Sequence, residues 1–257
     1  MRKQLVTLNV DNYCPAITEI TFPAMEKWAA KIGAEFNQIT RRVNLPHPQF
    51  DQNSHVSVTY QKFQLYEMAA DYDWTIFLDA DALVHPDTPD WTESVTKDIV
   101  VFHGLDMSLN RFRANNYTRR SKMLMGACTW CVIFSDWCRD VWHPMQETTW
   151  DECMENIYPT IMEDNSGVCR REHLIDDYLV TQNIARYGLK TQTIAQLCQQ
   201  FNQPPIYFHH LYACSEEFKI KTLKERAEEW AKTPTLQQRI EEEKAKEDAK
   251  KTEVSNG

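Results

Sequence analysis

The stretch TIFLDADALVHPD, residues 75–87, decides the fold class of this chain. An apolar run from Trp74 to Leu78 stops at Asp79-Ala80-Asp81, and apolar residues resume directly afterwards. Two carboxylates at the end of a buried strand are costly unless another group offsets their charge. A divalent cation is the usual reason, and oxygen ligands suit Mg²⁺ or Mn²⁺, which keep positions open for phosphate oxygens. The stretch therefore predicts an Asp-x-Asp site for Mn²⁺ or Mg²⁺ and a diphosphate.

Side-chain alternation supports a shared role for the two carboxylates. In an extended chain, Asp79 and Asp81 lie on the same face, because successive side chains point in opposite directions. Both can then reach one ion or its water ligands. The alternative is a strand that ends in a turn with two solvated aspartates.

Strand and helix patterns alternate along the chain. Segments typical of strands lie at 4–10, 34–40, 74–81, 98–103, 126–134 and 205–214, and helical patterns lie at 15–32, 56–70 and 172–187 and in part of 135–150. This order predicts an α/β fold with a mainly parallel central sheet flanked by helices. Ligands of such sheets bind beyond the carboxyl ends of the strands, where the two aspartates lie.

Composition narrows the class of protein. The chain has 257 residues and 42% hydrophobic residues, enough for one domain with a sizeable core. The net charge of −9 disfavours generic nucleic-acid binding. Six glycines and the absence of GxGxxG or GxxxxGK[ST] argue against a glycine-rich phosphate loop. With no signal peptide, no membrane span and eight cysteines without framework spacing, we expect a cytoplasmic protein.

The C-terminal part differs in composition. From Ser215 onward the chain becomes highly charged, and residues 219–231 and 235–251 are helical by propensity, with a break at Thr233-Pro234. We expect a catalytic domain at 1–218 and a charged helical or disordered tail at 219–257.

The order of motifs resembles a known family. Residues Asn9 to Tyr13 follow the first strand, and the Lys-bearing YQKFQLYEM precedes FLDADALV. An apolar strand after Gly126, an acidic helix and a late histidine come next. This order is similar to that of GT-A fold glycosyltransferases, especially the glycogenin-like and α-galactosyl- and xylosyltransferase-like groups, over about residues 4–214. The resemblance implies a GT-A (Rossmann-like) fold and a metal-dependent hexosyl- or pentosyltransferase that moves a sugar from a nucleotide-sugar, with a UDP-sugar favoured, to a hydroxyl.

The resemblance also implies the metal ligands. Asp79 and Asp81 hold Mn²⁺ or Mg²⁺ in those families, together with a histidine near the end of the domain. His209 and His210 are adjacent, so they point to opposite faces if the segment is extended. The HLYAC segment is similar to a family pattern His-Phe-x-Gly-Cys, which favours His210 over His209, although Ala213 stands where that pattern has glycine.

Donor contacts are implied around the same edge. Val10, Asp11 and Tyr13 suit a base site after the first strand, with ordinary turn formation as the alternative. Lys62 is expected near ribose or phosphate, with a solvated helix lysine as the alternative. We also expect donor contacts from Ala80, which lies beside the metal ligands, and from Gly126 and Ala127. The last two would line the sugar pocket, because their small size leaves room for a sugar.

An acidic pair on the later helix is implied near the reaction. Asp176 and Asp177 point about 100° apart on a helix, so only one faces the cleft easily. We expect Asp177 to be the one that faces the cleft, because it is flanked by Leu174, Tyr178 and Thr181. In an inverting enzyme it would be the general base, and in a retaining enzyme it would position the sugar. The alternative is an acidic pair on the helix surface.

A basic stretch stands apart from these motifs, at Arg111, Arg113, Arg119, Arg120 and Lys122. It could close over a diphosphate, bind an anionic acceptor such as an acidic glycan or DNA, or be a solvated loop. The acceptor hydroxyl would then belong to a glycan or to a hydroxymethylated DNA base.

Two other functions stay open. A nucleotidyltransferase that makes nucleotide-sugars would share the α/β core, although LNVDNYCP lacks the glycine-rich basic loop of such enzymes. A non-catalytic sugar-binding protein of the same fold would use tryptophans to stack on sugars.

Overall fold

The chain begins with a strand–helix–strand unit. Strand β1 (Lys3–Leu8) is followed by helix α1 (Pro15–Lys31) and strand β2 (Ala34–Ile39), and the two strands pair in parallel. Pro15 suits the start of α1, because the N–H that proline lacks would have no intrahelical partner there. Gly33 follows the helix with a φ of 68°, a left-handed conformation that favours glycine.

The structure is a computed structural model, which describes residues 1–43, 58–103, 127–144, 160–161, 168–169, 175–201, 207–211, 214–234, 238, 241 and 244–245. Within these ranges, no helix is both long enough and apolar enough to cross a membrane.

The later elements follow the predicted alternation. In chain order they are a 3₁₀ segment (Tyr60–Gln64), α2 (Leu65–Met68), a 3₁₀ turn (Ala69–Asp71), β3 (Trp74–Leu78), β4 (Leu83–Val84), a 3₁₀ turn (Trp91–Glu93), β5 (Ile99–Phe102), β6 (Cys131–Ser135), a 3₁₀ segment (Asp136–Trp142), β7 (Thr160–Ile161), β8 (Val168–Cys169), α3 (Ile175–Tyr187), β9 (Lys190–Thr193), α4 (Ile194–Gln200), β10 (Phe208–His209) and α5 (Glu216–Lys232).

The helix predicted at 56–70 is irregular. Its described part alternates between α and 3₁₀ geometry, with Leu65–Met68 as a short α-helix between two 3₁₀ segments. The rings of Tyr60 and Phe63 stack at a centroid distance of 4.7 Å. In a 3₁₀ helix the side chains at i and i+3 eclipse one another, which places these two rings in register in the core.

Six strands form the central sheet in the order β2-β1-β3-β6-β5-β9. The pairs β1–β2, β1–β3 and β5–β9 are parallel, and β6 is antiparallel to both β3 and β5. The mainly parallel sheet predicted from the sequence is therefore confirmed. Because β6 runs in the opposite direction, its amino end lies at the same edge as the carboxyl ends of β1, β3 and β5. We call this edge the catalytic edge.

The two faces of the sheet carry separate hydrophobic clusters. Phe77, Val132 and Phe134 belong to the cluster that includes α3 residues. Ile76 and Ile133, which alternate with them along the strands, belong to the cluster that includes α1 and α4 residues. Both faces of β3 and β6 are covered, and the charged residues next to these two strands, Asp73, Asp79 and Asp136, lie beyond the strand ends.

Helix α5 packs on the domain. Its Leu223 and Trp230 form a small buried cluster with Ile17 of α1 and Leu83 of β4. The helix begins at Glu216 and so spans the expected boundary between 218 and 219. We propose that the domain extends to the end of α5.

Candidate active site

A tight turn at the end of β3 carries the two aspartates. The backbone N–H of Ala82 donates to the carbonyl oxygen of Asp79 at 3.0 Å, and the Thr21 hydroxyl of α1 donates to the Ala80 carbonyl at 2.6 Å. The carboxylates therefore converge through a hydrogen-bonded turn, whereas the sequence analysis expected an extended chain. The turn brings Asp79 and Asp81 to the catalytic edge, as that analysis predicted.

A two-residue ribbon brings the histidine to this turn. Strand β10 pairs antiparallel with β4, with His209 opposite Leu83. The Nε2 atom of His210 lies 3.2 Å from Oδ1 of Asp81 and 3.9 Å from Oδ2 of Asp79. In contrast, the Nε2 atom of His209 is buried without a hydrogen-bond partner in the described part of the chain. The geometry favours His210, as the similarity of HLYAC to the family pattern implied.

The chemistry of this cluster suits a divalent cation. Asp79, Asp81 and His210 each offer a ligand atom, and these atoms lie within 4.8 Å of one another. Carboxylate oxygens suit Mg²⁺ and Mn²⁺, and an imidazole nitrogen is a common ligand of first-row transition metals. Two carboxylates and one imidazole thus fit a cation such as Mn²⁺ that keeps further positions open for a ligand.

Lys62 joins the first aspartate to the acidic helix. Its Nζ atom lies 2.8 Å from Oδ1 of Asp79 and 2.7 Å from Oδ2 of Asp176. Burial lowers the pKa of Lys62, but the carboxylates of Asp176 and Asp79 outweigh it and raise the pKa above its ordinary value. Burial also raises the pKa of Asp79, and Lys62 and His210 oppose that rise. The Lys62 ammonium therefore bridges the carboxylates of Asp79 and Asp176.

Lys219 of α5 provides a second ammonium group. It donates to Oδ2 of Asp81 in a short contact. Burial would raise the pKa of Asp81, but His210 and Lys219 lower it well below its ordinary value. Each aspartate of the turn is thus paired with its own lysine, Asp79 with Lys62 and Asp81 with Lys219.

A cavity of about 260 Å³ opens over this cluster. The predicted site residues among its lining are Tyr13, Lys62, Asp79, Ala80, Asp81, Asp176 and His210. Burial, followed by the charges of Asp81 and Asp79, raises the pKa of Tyr13, so its hydroxyl stays protonated. The cavity therefore places an aromatic ring, two paired lysines and three carboxylates around one space.

Asp176, and not Asp177, faces the cavity. Oδ2 of Asp176 accepts from the Thr129 hydroxyl at 2.7 Å as well as from Lys62. Oδ1 of Asp177 instead accepts from the backbone N–H of Thr129 at 2.7 Å. Asp177 thus fastens α3 to the turn before β6, which corrects the choice of Asp177 as the residue that faces the cleft. Both carboxylates are buried, so neither belongs to a solvated surface pair.

Two residues predicted for the base site lie away from the cavity. Val10 packs in the hydrophobic core at 2% exposure. Asp11 is exposed, has a φ of 58° and accepts from Nε of Arg42 at 3.0 Å. The turn after β1 therefore contributes Tyr13 alone of the three. Ala127 donates its N–H to the Thr181 hydroxyl and does not line the cavity.

Other predicted residues fall outside the described ranges. These are Gly126 and the basic stretch with Arg111, Arg113, Arg119, Arg120 and Lys122.

Lys219 was missed by the sequence analysis, which assigned it to the tail. A signal was present, because Ile220, Leu223, Ala227 and Trp230 recur at helical spacing and mark one apolar face of α5. A helix with such a face packs on the domain, and its first turn then lies near the late histidine.

Comparisons with known proteins bear on the fold. No family model matches the chain, and no curated protein matches it. Among solved structures, the chain is similar to a glycosyltransferase involved in the glycosylation of the major capsid of PBCV-1. The TM-score is 0.52 and the identity 11%, over 88% of this chain and 100% of that chain.

The chain has the GT-A fold. The galactosyltransferase LgtC, solved with donor and acceptor sugar analogs, is also similar, with a TM-score of 0.46 and 13% identity over 90% of this chain and 97% of that chain. The likeness to the PBCV-1 glycosyltransferase, at a TM-score of 0.52, confirms the fold implied by the family resemblance. In this GT-A fold the acidic turn follows the third strand and lies at the catalytic edge, under the cavity.

Proposed function

We propose that this protein is a metal-dependent glycosyltransferase that moves a sugar from a nucleoside diphosphate-sugar to a hydroxyl group. One observation carries the proposal, which is the cluster of Asp79, Asp81 and His210 at the catalytic edge of a GT-A fold. The cluster borders a cavity that also contains an aromatic ring and a third carboxylate. A UDP-sugar is the favoured donor, from the family resemblance.

The three ligand residues would hold Mn²⁺ or Mg²⁺. When bound, such an ion acts as a Lewis acid that stabilises the negative charge on a leaving diphosphate. The turn fixes Asp79 and Asp81, and the β4–β10 ribbon fixes His210, so the ligands are positioned before the ion arrives. A bound cation would offset the cost of placing two carboxylates at the end of an apolar strand.

Lys62 and Asp176 define the reacting side of the cavity. The Lys62 ammonium donates a hydrogen bond to Oδ2 of Asp176 at 2.7 Å and so fixes the orientation of that side chain. We propose Asp176 as the carboxylate near the transferred sugar or the acceptor hydroxyl, where it would orient a hydroxyl or accept its proton. Asp177 stabilises the position of α3, because it accepts a hydrogen bond from the backbone N–H of Thr129 in the turn before β6. Tyr13, which also lines the cavity, offers a flat face for a nucleobase.

Product analysis tests the proposal. Purified protein is incubated with UDP-, GDP-, ADP- and TDP-sugars, with Mn²⁺ or with EDTA, and released nucleotides are separated by chromatography. We expect release of a nucleoside diphosphate from one class of donor, only with the metal. Pyrophosphate release would instead indicate a nucleotidyltransferase, and the absence of any turnover would favour a non-catalytic sugar-binding protein.

Matched aspartate variants make this test specific to the site. Asp79→Asn and Asp81→Asn should each reduce turnover by more than the roughly 10–100-fold that follows loss of an outer-shell partner of a metal. Asp73→Asn is the control, because Asp73 immediately precedes β3 at the opposite end of the same strand. Full activity in both site variants would reject the assignment.

A further inference from the structure

Trp130 contacts both parts of the candidate metal site. Its backbone carbonyl accepts from the N–H of Asp79 at 2.8 Å, directly at the start of the acidic turn. Its indole stacks on the imidazole of His210, with a centroid distance of 4.7 Å and an interplanar angle of 15°. One residue of the turn before β6 therefore touches a carboxylate ligand through its backbone and the histidine ligand through its ring.

The indole is itself held in place. His103, which follows β5 at the same edge, packs on Trp130 at a centroid distance of 4.2 Å. Phe208 of β10 meets the indole edge-on, at 6.3 Å and 82°. The His103 ring is tilted by 41° to the indole, whereas the contact with Phe208 has the edge-to-face geometry that aromatic pairs prefer. Since Trp130 has fixed neighbours from two strands, it presents a rigid plane to His210.

A rigid plane matters for a histidine ligand. Metal-binding histidines are usually oriented by a hydrogen bond at the second ring nitrogen. In the described part of the chain, the contact that sets the plane of the His210 ring is the stack on Trp130. With that plane fixed, Nε2 points at the two aspartates. Without it, the ring would sample other rotamers and would lose part of its preorganisation.

We propose that Trp130 is a positioning residue that holds His210 in the orientation required for metal binding. The proposal rests on the proposed function, because it assumes that His210 is a ligand. It concerns the indole alone, since the backbone contact with Asp79 persists when the side chain is replaced.

Calorimetric titration with Mn²⁺ alone, without nucleotide, tests the proposal. The affinity of the unaltered protein is compared with that of Trp130→Leu, which removes the ring, and Trp130→Phe, which keeps an aromatic plane. We expect Trp130→Leu to weaken Mn²⁺ binding by roughly 10–100-fold, the range typical of lost outer-shell support. Trp130→Phe should bind within about threefold of the unaltered protein, an expectation that follows from keeping the stacking geometry.

Two controls separate positioning from stability. Trp137→Leu removes an indole that is 68% exposed in the 3₁₀ segment after β6, and it should leave Mn²⁺ affinity unchanged. Thermal melting in EDTA shows whether each variant is folded. If Trp130→Leu does not fold, Trp130→Met replaces it, because methionine fills irregular space without providing a ring plane.

The outcomes distinguish the two proposals. Failure of the unaltered protein to bind Mn²⁺ would overturn the proposed function, and this inference with it. Normal Mn²⁺ binding by Trp130→Leu, with binding by the unaltered protein intact, would overturn only the role of Trp130. Equal weakening in Trp130→Phe and Trp130→Leu would also overturn it, because the aromatic plane would then not be the property that counts.

Discussion

The two ends of strand β3 carry the same three groups in different surroundings. At the amino end, Lys97 lies 2.8 Å from Oδ1 of Asp73 and 3.0 Å from Oδ1 of Asp136. At the carboxyl end, Lys62 lies 2.8 Å from Asp79 and 2.7 Å from Asp176. Both are one lysine shared by two aspartates, and only their burial differs.

The two groups differ strongly in the exposed fraction of their side chains. Side chains of the amino-end triad are 30–38% exposed, whereas Lys62 and Asp176 are each 4% exposed and Asp79 is 23% exposed. Exposed ion pairs gain little, because water screens them and long side chains lose entropy. Buried charges depend on their partners, because each has lost its hydration. Burial, and not composition, therefore distinguishes the end of the strand that carries the candidate site.

The largest effect is expected for Lys62→Met. Asp176 would stay buried, and Asp79 partly buried, without their shared cation, and breaking a buried pair costs about 3–5 kcal/mol. The free energy of unfolding, measured by urea denaturation in EDTA at neutral pH, should fall by that amount. A loss below about 1 kcal/mol, the range of exposed pairs, would show that the two ends of β3 are energetically equivalent.

The next effect concerns the pH dependence of stability, through His103 at the catalytic edge. Burial, followed by the charge of His210, lowers the pKa of His103 to about 4. The folded protein thus keeps His103 neutral at a pH where the unfolded chain, with an ordinary histidine pKa, binds a proton. Stability should therefore be full above pH 6.5 and should decrease as the pH falls toward 4, by about 3 kcal/mol from this group.

The matched variant for His103 is His103→Phe, which keeps a ring against Trp130 but cannot take a proton. Urea denaturation between pH 7 and pH 4 should give a shallower pH dependence for the variant than for the unaltered protein. If the free energy of unfolding has the same pH dependence in both proteins, the pKa of His103 is not lowered by burial. This part of the catalytic edge would then be as exposed to water as the amino end of β3.

The smallest effect is expected for Lys97→Met at the amino end. Its exposed pairs should contribute 0–1 kcal/mol, and raising the salt concentration should reduce even that difference, since salt screens exposed charges. Urea denaturation at low and high salt measures both quantities. A loss as large as that of Lys62→Met would contradict the role given to burial.

Much of the fold was predictable because apolar patterning determines it. The strands β1, β2, β3 and β5 lie inside their predicted segments, apart from single terminal residues. The direction of β6 was not predictable, because all five of its residues are buried and such a run carries no information on direction. In the described part of the segment at 205–214, the strand is the two-residue β10, which pairs with the equally short β4.

The site was predictable where the residue type itself is unusual. Asp79 and Asp81 stand out because carboxylates rarely end an apolar strand. Asp176 and Asp177 could not be told apart, because both are buried and the rotation of α3 depends on its tertiary contacts with Thr129. Lys219 and Trp130 acquire their roles only when α5 and the turn before β6 meet the acidic turn. The cytoplasmic location and the DNA acceptor remain predictions.

The position of a bound metal ion decides whether Asp79, Asp81 and His210 form a metal site. Crystals of the protein are soaked with Mn²⁺ and UDP, and anomalous scattering from manganese is used to locate the ion. We expect a single strong peak bounded by Asp79, Asp81 and His210, with the diphosphate in contact with the ion. Manganese elsewhere, or UDP bound without contact to an ion at these three residues, would contradict it.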